Sequence, residues 1–358
     1  MAKTRIVGLS FEHFHMGDNL RAAAAHPDVE LVGICDAEPR RMEEAIRNFG
    51  FSPEQVFTDY RQCLETCSPD VVILCPAAAG HGLWTKRVME FGADAIIEKP
   101  MAASLAEADQ MIAAAERSQR RLMIHWPMAW SAPHQTAQRM ISEGEIGEVI
   151  EIHYYGGNRG PLYHGADKRE TTAEEIAREK PHSWFYSKAA GGGSLLDYIG
   201  YGTTIGTWFF GGKKPLEVTA TVDQPAGLEV DEHSIAVARY ATGLSKFETR
   251  WGTFTDPWTL QPQPQCGFVI VGTEGTLGCY DYQTSVYLQT RTKPEIHQVP
   301  NDPVPPERAN LVNYFLSRVD QQLPIDGPCS PEISRIGQQI VDTAIQSAAE
   351  KRTVALLD

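Results

Sequence analysis

The chain has 358 residues, which favours two domains over one. Hydrophobic residues make up 42% of it and charged residues 22%, so it can build sizeable cores and does not have the composition of a disordered protein. Lys and Arg total 32 against 46 for Asp and Glu, and the net charge of −14 argues against nucleic acid or an anionic membrane as the main partner.

Targeting and cysteine patterns point to a reduced compartment. The N-terminus leads directly into an apolar strand, without the hydrophobic stretch and small-residue cleavage site of a signal peptide. No apolar run approaches the roughly 18 to 20 residues of a membrane span. The seven cysteines are scattered, and no second ligand pair follows Cys63 and Cys67. The sequence therefore predicts a cytoplasmic protein with neither a disulfide framework nor a metal site.

Residues 1–125 alternate short β-branched runs with helical stretches. Strands are predicted at 5–9, 30–35, 71–74, 95–97 and 122–125, with helices at 17–26, 39–49, 60–66 and 82–91. A last helix, from 104 to 117, is predicted to open with a capping box between Ser104 and Glu107. The run Val71–Leu74 is continuously apolar, as expected of a strand buried on both faces. This alternation predicts an α/β fold with a parallel, doubly wound sheet.

The pattern changes after residue 125. A helix at 132–142 and a strand at 148–155 precede a polar, irregular stretch at 156–190, and a triple glycine then leads into one helix at 194–210. Strands at 216–222, 234–240, 244–251, 268–273 and 275–280 follow without helices between them. This succession predicts an antiparallel sheet. A proline-marked extended strap at 294–306 and helices at 307–320 and 331–351 complete the chain.

The first βα turn, Ser10–His15, lacks the Gly-x-Gly-x-x-Gly pattern that lets bare backbone approach a pyrophosphate. Glu12 would add negative charge beside a diphosphate, so the turn alone argues against a nucleotide. If one binds, we expect contacts from backbone amides and Ser10, with Glu12 turned away. Ser10, Phe11 and His13 are the candidate cofactor-binding residues of this turn.

The second strand ends at Asp36, 21 residues beyond His15. A carboxylate at this place can accept hydrogen bonds from an adenosine ribose and repel a 2′-phosphate, which favours NAD over NADP. Arg40 and Arg41 lie close enough to weaken that preference, and Arg40 is a further candidate contact. The alternative is that Asp36 merely caps the helix that starts near Pro39.

The segment Glu98-Lys99-Pro100 follows a buried strand and so stands at the carboxyl edge of the sheet, where open α/β folds bind ligands. A cation there can polarise a carbonyl or steady an alkoxide. A solvated loop lysine is the alternative. The candidate cofactor-binding residues at this edge are Cys75, Pro76, His81, Glu98 and Lys99.

A second constellation follows the triple glycine. Asp197 and Tyr201 are four residues apart on the predicted helix, so their side chains project from one face. A carboxylate beside a phenol can orient substrate hydroxyls while the phenol exchanges a proton. The alternative is a core tyrosine beside a surface aspartate.

Together these features resemble the Gfo/Idh/MocA oxidoreductase family. The matching segments occur in order along most of the chain: Pro27–Val32 into Asp36, Thr58–Tyr60, Pro69–Ile73, Pro76 with His81, Glu98–Pro100, Gly144–Gly147, Gly191–Gly193 with Asp197, and Gly272–Gly275.

The resemblance implies a dinucleotide-binding Rossmann domain at 1–125. It also implies a second α/β domain at 126–358, built on an open, mostly antiparallel sheet that binds substrate and pairs subunits in a homodimer or homotetramer. The C-terminal helices can pack back on the first domain. Two departures stand out: the missing glycines, and Tyr201 where the family usually has His. Branches similar to glucose–fructose oxidoreductase and dimeric dihydrodiol dehydrogenase also carry Tyr there.

The implied activity is hydride transfer between NAD and a secondary hydroxyl or keto carbon of a sugar, sugar derivative or cyclic polyol. In this scheme Tyr201 takes the hydroxyl proton, Lys99 stabilises the negative oxygen and lowers the pKa of Tyr201, and Asp197 holds a neighbouring hydroxyl. An NAD-recycling glycosidase and a non-catalytic member of the fold are the alternatives. The substrate-pocket candidates are His153, His182, Trp184, Tyr186 and Trp251.

Overall fold

The computed structural model describes residues 2–358. Its first sheet has six parallel strands, β1 (Thr4–Phe11), β2 (Val29–Cys35), β3 (Val56–Phe57), β4 (Val71–Cys75), β5 (Asp94–Glu98) and β6 (Leu122–His125). They pair in the order β3-β2-β1-β4-β5-β6, so the strand order reverses between β1 and β4. The predicted parallel, doubly wound sheet is confirmed, and ligands of such sheets bind at the carboxyl edge where the order reverses.

Five helices cover this sheet: α1 (His15–Ala25), α2 (Glu43–Phe49), α3 (Tyr60–Cys67), α4 (His81–Glu90) and α5 (Leu105–Ser118). Every residue of β4 and β5 is buried, because helices lie on both faces. Helix α5 begins as its sequence predicts, since the Ser104 hydroxyl accepts a hydrogen bond from the Glu107 amide.

The second part of the chain forms a nine-stranded sheet. Its helices are α6 (Ala132–Ser142), α7 (Ala173–Glu179), α8 (Ser194–Asp197), α9 (Gly200–Phe209), α10 (Leu311–Asp320) and α11 (Pro331–Glu350). Its strands are β7 (Val149–Asn158), β8 (Glu217–Asp223), β9 (His233–Arg239), β10 (Leu244–Trp251), β11 (Gly267–Gly272), β12 (Gly275–Tyr280), β13 (Ser285–Thr290), β14 (His297–Pro300) and β15 (Val354–Ala355). They pair in the order β14-β13-β12-β11-β7-β10-β9-β8-β15, and the β7–β10 pair is parallel.

Three predictions about this part were wrong in detail. The single helix at 194–210 is two helices, α8 and α9, because the hydrogen-bond ladder is interrupted after Tyr198, where the Ile199 amide donates to the Ser194 carbonyl five residues back. The stretch 156–190 is not wholly irregular, since α7 begins with a capping box between Thr172 and Glu175. The strap at 294–306 contains β14, which pairs with the unpredicted β13.

Helix α11 packs against both parts of the chain. The Leu105 amide donates to the Asp342 carboxylate at 2.6 Å, and the Trp126 indole donates to the Ser334 hydroxyl at 3.1 Å. The C-terminal helix therefore braces the end of the parallel sheet that carries β5 and β6. Within residues 2–358 no helix combines the length and apolar composition needed to cross a membrane.

Candidate active site

A buried ion pair joins the two parts of the chain. Lys99, one residue past the end of β5, places its Nζ 2.7 Å from Oδ1 of Asp197, the last residue of α8. Both residues are almost fully buried, at 4% and 3% exposed. Burial raises the pKa of Asp197, and the Lys99 charge opposes that rise. A buried pair of this kind is costly to desolvate, so it gives weak evidence for stability and stronger evidence for a specific role.

The triple glycine brings Asp197 to this position. Gly191 has a φ of +84°, and a Cβ there would lie 2.8 Å from the Cβ of Ala78 in the turn after β4. A Cβ on Gly192 would meet the carbonyl oxygen of Phe185 at 2.3 Å. Only glycine allows the segment to pass this close to the sheet edge, and α8 begins at the next residue after the triple glycine.

Tyr201 also lies against this pair. Its ring centroid is 5.7 Å from Nζ of Lys99, and the ring packs edge-on against Trp126 at 5.3 Å. The prediction that Lys99 lowers the pKa of Tyr201 was wrong. Burial raises the pKa of Tyr201 well above its usual value, and the charges of Glu98 and Asp197 raise it further. The phenol is therefore held in its neutral form.

These side chains line one small cavity between the two sheets. The cavity is lined by these residues that the sequence predicted for the site: His13, Lys99, Asp197, Tyr201 and Trp251. Its further walls come from residues that sequence reasoning missed: Phe14, His15, Tyr154, Asn158, His164, Lys168, Phe185, Tyr198, Trp258, Asp281 and Tyr282. His15 stands in the turn already singled out, so its neighbourhood was a usable signal. Phe14 stands in the same turn and Tyr198 between Asp197 and Tyr201, whereas the others lie on β7 or in irregular segments whose approach depends on the tertiary fold.

The first βα turn keeps a tight conformation without glycine. Ser10 has a φ of +64°, in the left-handed region that glycine usually occupies in such a turn. Glu12 is partly exposed, and its carboxylate accepts a 3.0 Å hydrogen bond from the Ala77 amide, after β4. Its backbone carbonyl accepts a hydrogen bond from the Trp184 indole at 3.1 Å. The Glu12 carboxylate thus lies over the edge where the strand order reverses.

Asp36 is buried at the end of β2 and already accepts several hydrogen bonds. One carboxylate oxygen accepts from the Phe11 amide at 2.6 Å, and the other accepts from the Glu38 amide at 2.8 Å. Arg40 and Arg41 are both exposed to solvent, and the Arg41 guanidinium lies 3.5 Å from Asp36 and 3.7 Å from Glu12. The basic side chain at this strand end is therefore that of Arg41.

A cleft of about 410 Å³ runs over this turn. Phe11, His13, His182 and Trp184 line it, as do the basic residues Arg21, Arg41 and Arg169. The cleft lies at the carboxyl edge of β1, where the long connection between β7 and α8 covers the turn. Its rim carries charges of both signs, because Glu12, Glu44, Glu175 and Glu179 line it together with these arginines.

Three residues that were predicted to bind the cofactor are buried away from the cleft. Cys75, Pro76 and His81 are fully buried, and none of them lines the cleft or the small cavity. The two ring nitrogens of His81 lie 3.2 Å from the carbonyl oxygens of Pro76 and Met101. Burial lowers the pKa of His81 to about 4, so its ring stays neutral and can donate to only one of these two carbonyl oxygens.

Glu98 faces histidines on two sides. Its Oε1 lies 2.9 Å from Nδ1 of His15, and its Oε2 lies 3.1 Å from Nδ1 of His125 on the neighbouring strand β6. Asn19 also donates to Oε2, at 3.3 Å. Burial alone would raise the pKa of Glu98, but the charges and hydrogen bonds of the two histidines lower it well below its usual range. Glu98 is therefore a buried carboxylate in its charged form.

Two substrate-pocket candidates stand apart from the small cavity. His153 lies on β7 beside Tyr154, and successive strand residues face opposite sides of a sheet. Because Tyr154 lines the cavity, His153 faces away, where it contacts Glu151. Tyr186 lines neither the cleft nor the cavity, but packs against Trp251 with ring centroids 5.7 Å apart.

The fold joins a doubly wound parallel sheet, which carries the cationic Lys99 at its carboxyl edge, to a large open sheet. This combination defines a two-domain dehydrogenase-like α/β protein. Residues 3–125 match the family model described as oxidoreductase family, NAD-binding Rossmann fold, and residues 134–278 match the GFO/IDH/MocA C-terminal domain. The chain belongs to the Gfo/Idh/MocA family of oxidoreductases, and its N-terminal part is the family's NAD-binding Rossmann domain.

Relatives of known name match the chain over part of its length. A D-apiose dehydrogenase of Paraburkholderia graminis is 30% identical over 148 residues, 40% of this chain and 37% of the relative. A glycosyl hydrolase family 109 protein of Akkermansia muciniphila is 28% identical over 142 residues, 37% of this chain and 30% of the relative. The matched region thus spans about a third of these relatives.

Solved structures match over the whole chain. The crystal structure of an oxidoreductase domain protein from Kribbella flavida has a TM-score of 0.81 at 18% identity, covering 100% of both chains. At this identity the similarity establishes the fold alone.

The residues of the NAD-binding domain fit the dinucleotide of the family at its adenosine end. Asp36 presents a buried carboxylate at the end of β2, and the left-handed Ser10 keeps the turn tight without glycine. Glu12 departs from this fit to the dinucleotide, because its carboxylate lies against the Ala77 amide. Because its side chain is 29% exposed, it can swing aside without opening the core.

Proposed function

We propose that this protein is an NAD-dependent oxidoreductase acting on a secondary hydroxyl or keto carbon of a sugar, sugar derivative or cyclic polyol. The observation that carries the proposal is the buried Lys99–Asp197 ion pair, 2.7 Å long, in the cavity that Tyr201 also lines. An ammonium group, a carboxylate and a phenol in one buried site are the groups that hydride transfer to and from a hydroxylated carbon requires.

The cofactor would be held by the carboxyl edge of the parallel sheet, with Asp36 on the adenosine ribose and the backbone amides of the turn at Ser10 on the diphosphate. NAD, when bound, supplies the hydride acceptor or donor. We propose NAD rather than NADP because the Asp36 carboxylate would repel a 2′-phosphate. The Arg41 side chain moderates this preference, since it lies 3.5 Å from Asp36.

The three catalytic candidates have separate tasks. Lys99 stabilises negative charge on the reacting oxygen in a site from which water is largely excluded. Tyr201 donates a proton to that oxygen, which suits carbonyl reduction, because its raised pKa keeps the phenol protonated. Oxidation by the same route starts only after Tyr201 has lost its proton. Asp197 fixes Lys99 and is placed to bind a neighbouring hydroxyl.

The cavity walls favour a cyclic, hydroxylated substrate. Trp251 and Trp258 offer flat apolar faces, while Asn158 and His164 offer polar groups beside them. Aromatic faces interleaved with hydrogen-bonding groups suit a sugar ring, which has apolar C–H faces and a polar rim. His182 and Trp184 line the neighbouring cleft and would reach only a longer substrate or the cofactor.

The wider assignments follow the same proposal. Residues 1–125 bind the cofactor, and residues 126–358 bind substrate and form the subunit contact of a dimer or tetramer through the exposed face of the second sheet. The presence of Tyr201 supports assigning the chain to a branch of the family that uses tyrosine. All seven cysteines are free and buried, which is compatible with a reducing, cytoplasmic environment.

A second candidate is a glycosidase that oxidises its substrate only transiently, which the similarity to family 109 hydrolases favours. Such an enzyme recycles its cofactor, so it releases product without net NADH. The two candidates therefore differ in cofactor stoichiometry.

The test is a panel of aldoses, ketoses, sugar acids, inositols and aryl glycosides, each incubated with NAD+ and with NADP+. The proposal expects NADH in proportion to the oxidised product for one class of free sugar or polyol. Aryl-glycoside cleavage without NADH accumulation would identify the glycosidase. Absence of turnover on every substrate with both cofactors, in either direction, would count against both.

A further inference from the structure

A cluster of potential metal ligands lies where the phosphate turn meets β5. His13 and His15 flank the start of α1, and Glu98 ends β5. One nitrogen of each histidine and one oxygen of Glu98 all lie within 4.8 Å of one another. His13 and Glu98 are each 1% exposed, so these three groups are enclosed rather than scattered over the surface.

The Nε2 atom of His13 supplies an independent indication of a ligand. It is buried and has no hydrogen-bond partner within residues 2–358. Burying a polar nitrogen without a hydrogen-bond partner is energetically costly, and such atoms commonly mark a site that binds an ion or ligand. The ring centroid of His13 lies 4.4 Å from that of His15, and both rings line the small cavity beside Lys99.

The groups around Glu98 resemble the outer shell of a metal site. Asn19 and His125 both contact Oε2 of Glu98 and fix the carboxylate orientation, while Oε1 faces His15. Carboxylate ligands in metal sites are commonly oriented by such second hydrogen bonds. The nearby cation Lys99 is paired with Asp197, which limits its repulsion of a second cation.

We propose that His13, His15 and Glu98 bind a divalent first-row transition-metal ion, with Zn²⁺ as the favoured occupant. Two imidazoles and one carboxylate suit Zn²⁺, Co²⁺ and Mn²⁺ better than Mg²⁺ or Ca²⁺, which prefer oxygen ligands. Three protein ligands leave one position open. His13 and His15 line the small cavity beside Lys99, so that position faces the candidate substrate.

Coordination through Nε2 of His13 has one structural consequence. Nδ1 of the same ring accepts a long hydrogen bond, 3.2 Å, from the His15 amide. A ring that binds metal through Nε2 carries its proton on Nδ1, so it must turn away from this amide. The turn therefore adjusts when the ion binds, because the His13 ring has to rotate.

The test uses full-length protein freed of metal by a chelator and then dialysed against Zn²⁺. We expect one equivalent of Zn²⁺ per chain, and a loss of affinity of at least 10-fold in each of His13→Asn, His15→Asn and Glu98→Gln. His233→Asn is the matched control, because His233 also contacts a glutamate, Glu248 at 3.2 Å, but belongs to no three-ligand group.

A measurement on the unmutated protein guards against variants that fail to fold. X-ray absorption of the Zn²⁺-loaded chain should show imidazole ligands together with oxygen ligands. No stoichiometric binding, a spectrum without imidazole, or affinity unchanged in folded variants would overturn the proposal. None of these readouts depends on catalysis, so the metal site and the proposed oxidoreductase activity can fail separately.

Discussion

Lys99 Nζ lies 2.7 Å from Asp197 Oδ1, although 98 residues separate them in the chain. The contact links the carboxyl edge of the parallel sheet to the first helix after the triple glycine. Because both side chains are nearly fully buried, each charge depends on the other for compensation.

Removing the charge of only one partner of this ion pair should destabilise the folded protein. We expect Asp197→Asn to reduce the free energy of unfolding by about 3–5 kcal/mol, because it leaves the Lys99 charge buried without its partner. The double variant Lys99→Met/Asp197→Leu should recover much of that stability and remain inactive. Urea denaturation followed by circular dichroism measures both. A single variant as stable as the original protein would mean that water already compensates the Lys99 charge.

Tyr201→Phe preserves the ring that packs on Trp126 and removes only the hydroxyl. A general acid–base step typically contributes about 10²- to 10⁴-fold, so we expect turnover to fall by that order while NAD affinity stays nearly constant. Since burial raises the pKa of Tyr201, oxidation by the unmutated enzyme should also accelerate as pH rises. Steady-state kinetics across pH are the measurement. Near-native turnover of Tyr201→Phe would return this residue to a packing role.

Glu12→Gln should tighten NAD binding. The amide oxygen can still accept the Ala77 hydrogen bond, but the negative charge beside the diphosphate is removed. For charges near a surface we expect a gain of roughly 3- to 10-fold at low ionic strength, which shrinks as salt is added. Calorimetric titration at two salt concentrations tests this. Equal affinities for both proteins at low salt would show that Glu12 swings clear of the diphosphate.

His81 should make stability depend on pH. Its pKa is about 4 in the folded chain against 6.5 for an unperturbed histidine, so below pH 6.5 the unfolded chain binds a proton that the folded chain does not. The free energy of unfolding should therefore fall as pH decreases from 6.5 towards 4, by up to about 3 kcal/mol from this residue. His81→Gln should show a correspondingly shallower decrease. Parallel curves for the two proteins would contradict the assignment.

The sequence predicted the elements whose signal is local. The apolar run Val71–Leu74 was sufficient to predict a buried parallel strand, and Ser104 with Glu107 was sufficient to predict the start of α5. The break at Tyr198 was not predictable, since it depends on how Gly200 packs against Trp126, where a Cβ would lie 2.6 Å from the indole. Strand β14 was missed because prolines on either side suggested a strap.

The residues of the candidate site were likewise predictable only where their sequence signal is local. Lys99, Asp197 and Tyr201 could be named from motifs, because each follows a recognisable strand or glycine signal. The meeting of His15 with Glu98 could not, since 83 residues separate them and only the sheet order brings β5 beside the start of α1. The inward position of Glu12 was likewise unpredictable, because it is fixed by the Ala77 amide beyond the end of another strand.

The most direct test of the central claim follows the hydride itself. A sugar or polyol that proves to be a substrate is deuterated at the oxidised carbon and incubated with NAD+, and the reduced cofactor is examined by mass spectrometry. We expect one deuterium in each released NADH, with NADH formation abolished in Lys99→Ala and reduced in Tyr201→Phe. Product formation without deuterium in the cofactor pool, or undiminished transfer in Lys99→Ala, would contradict it.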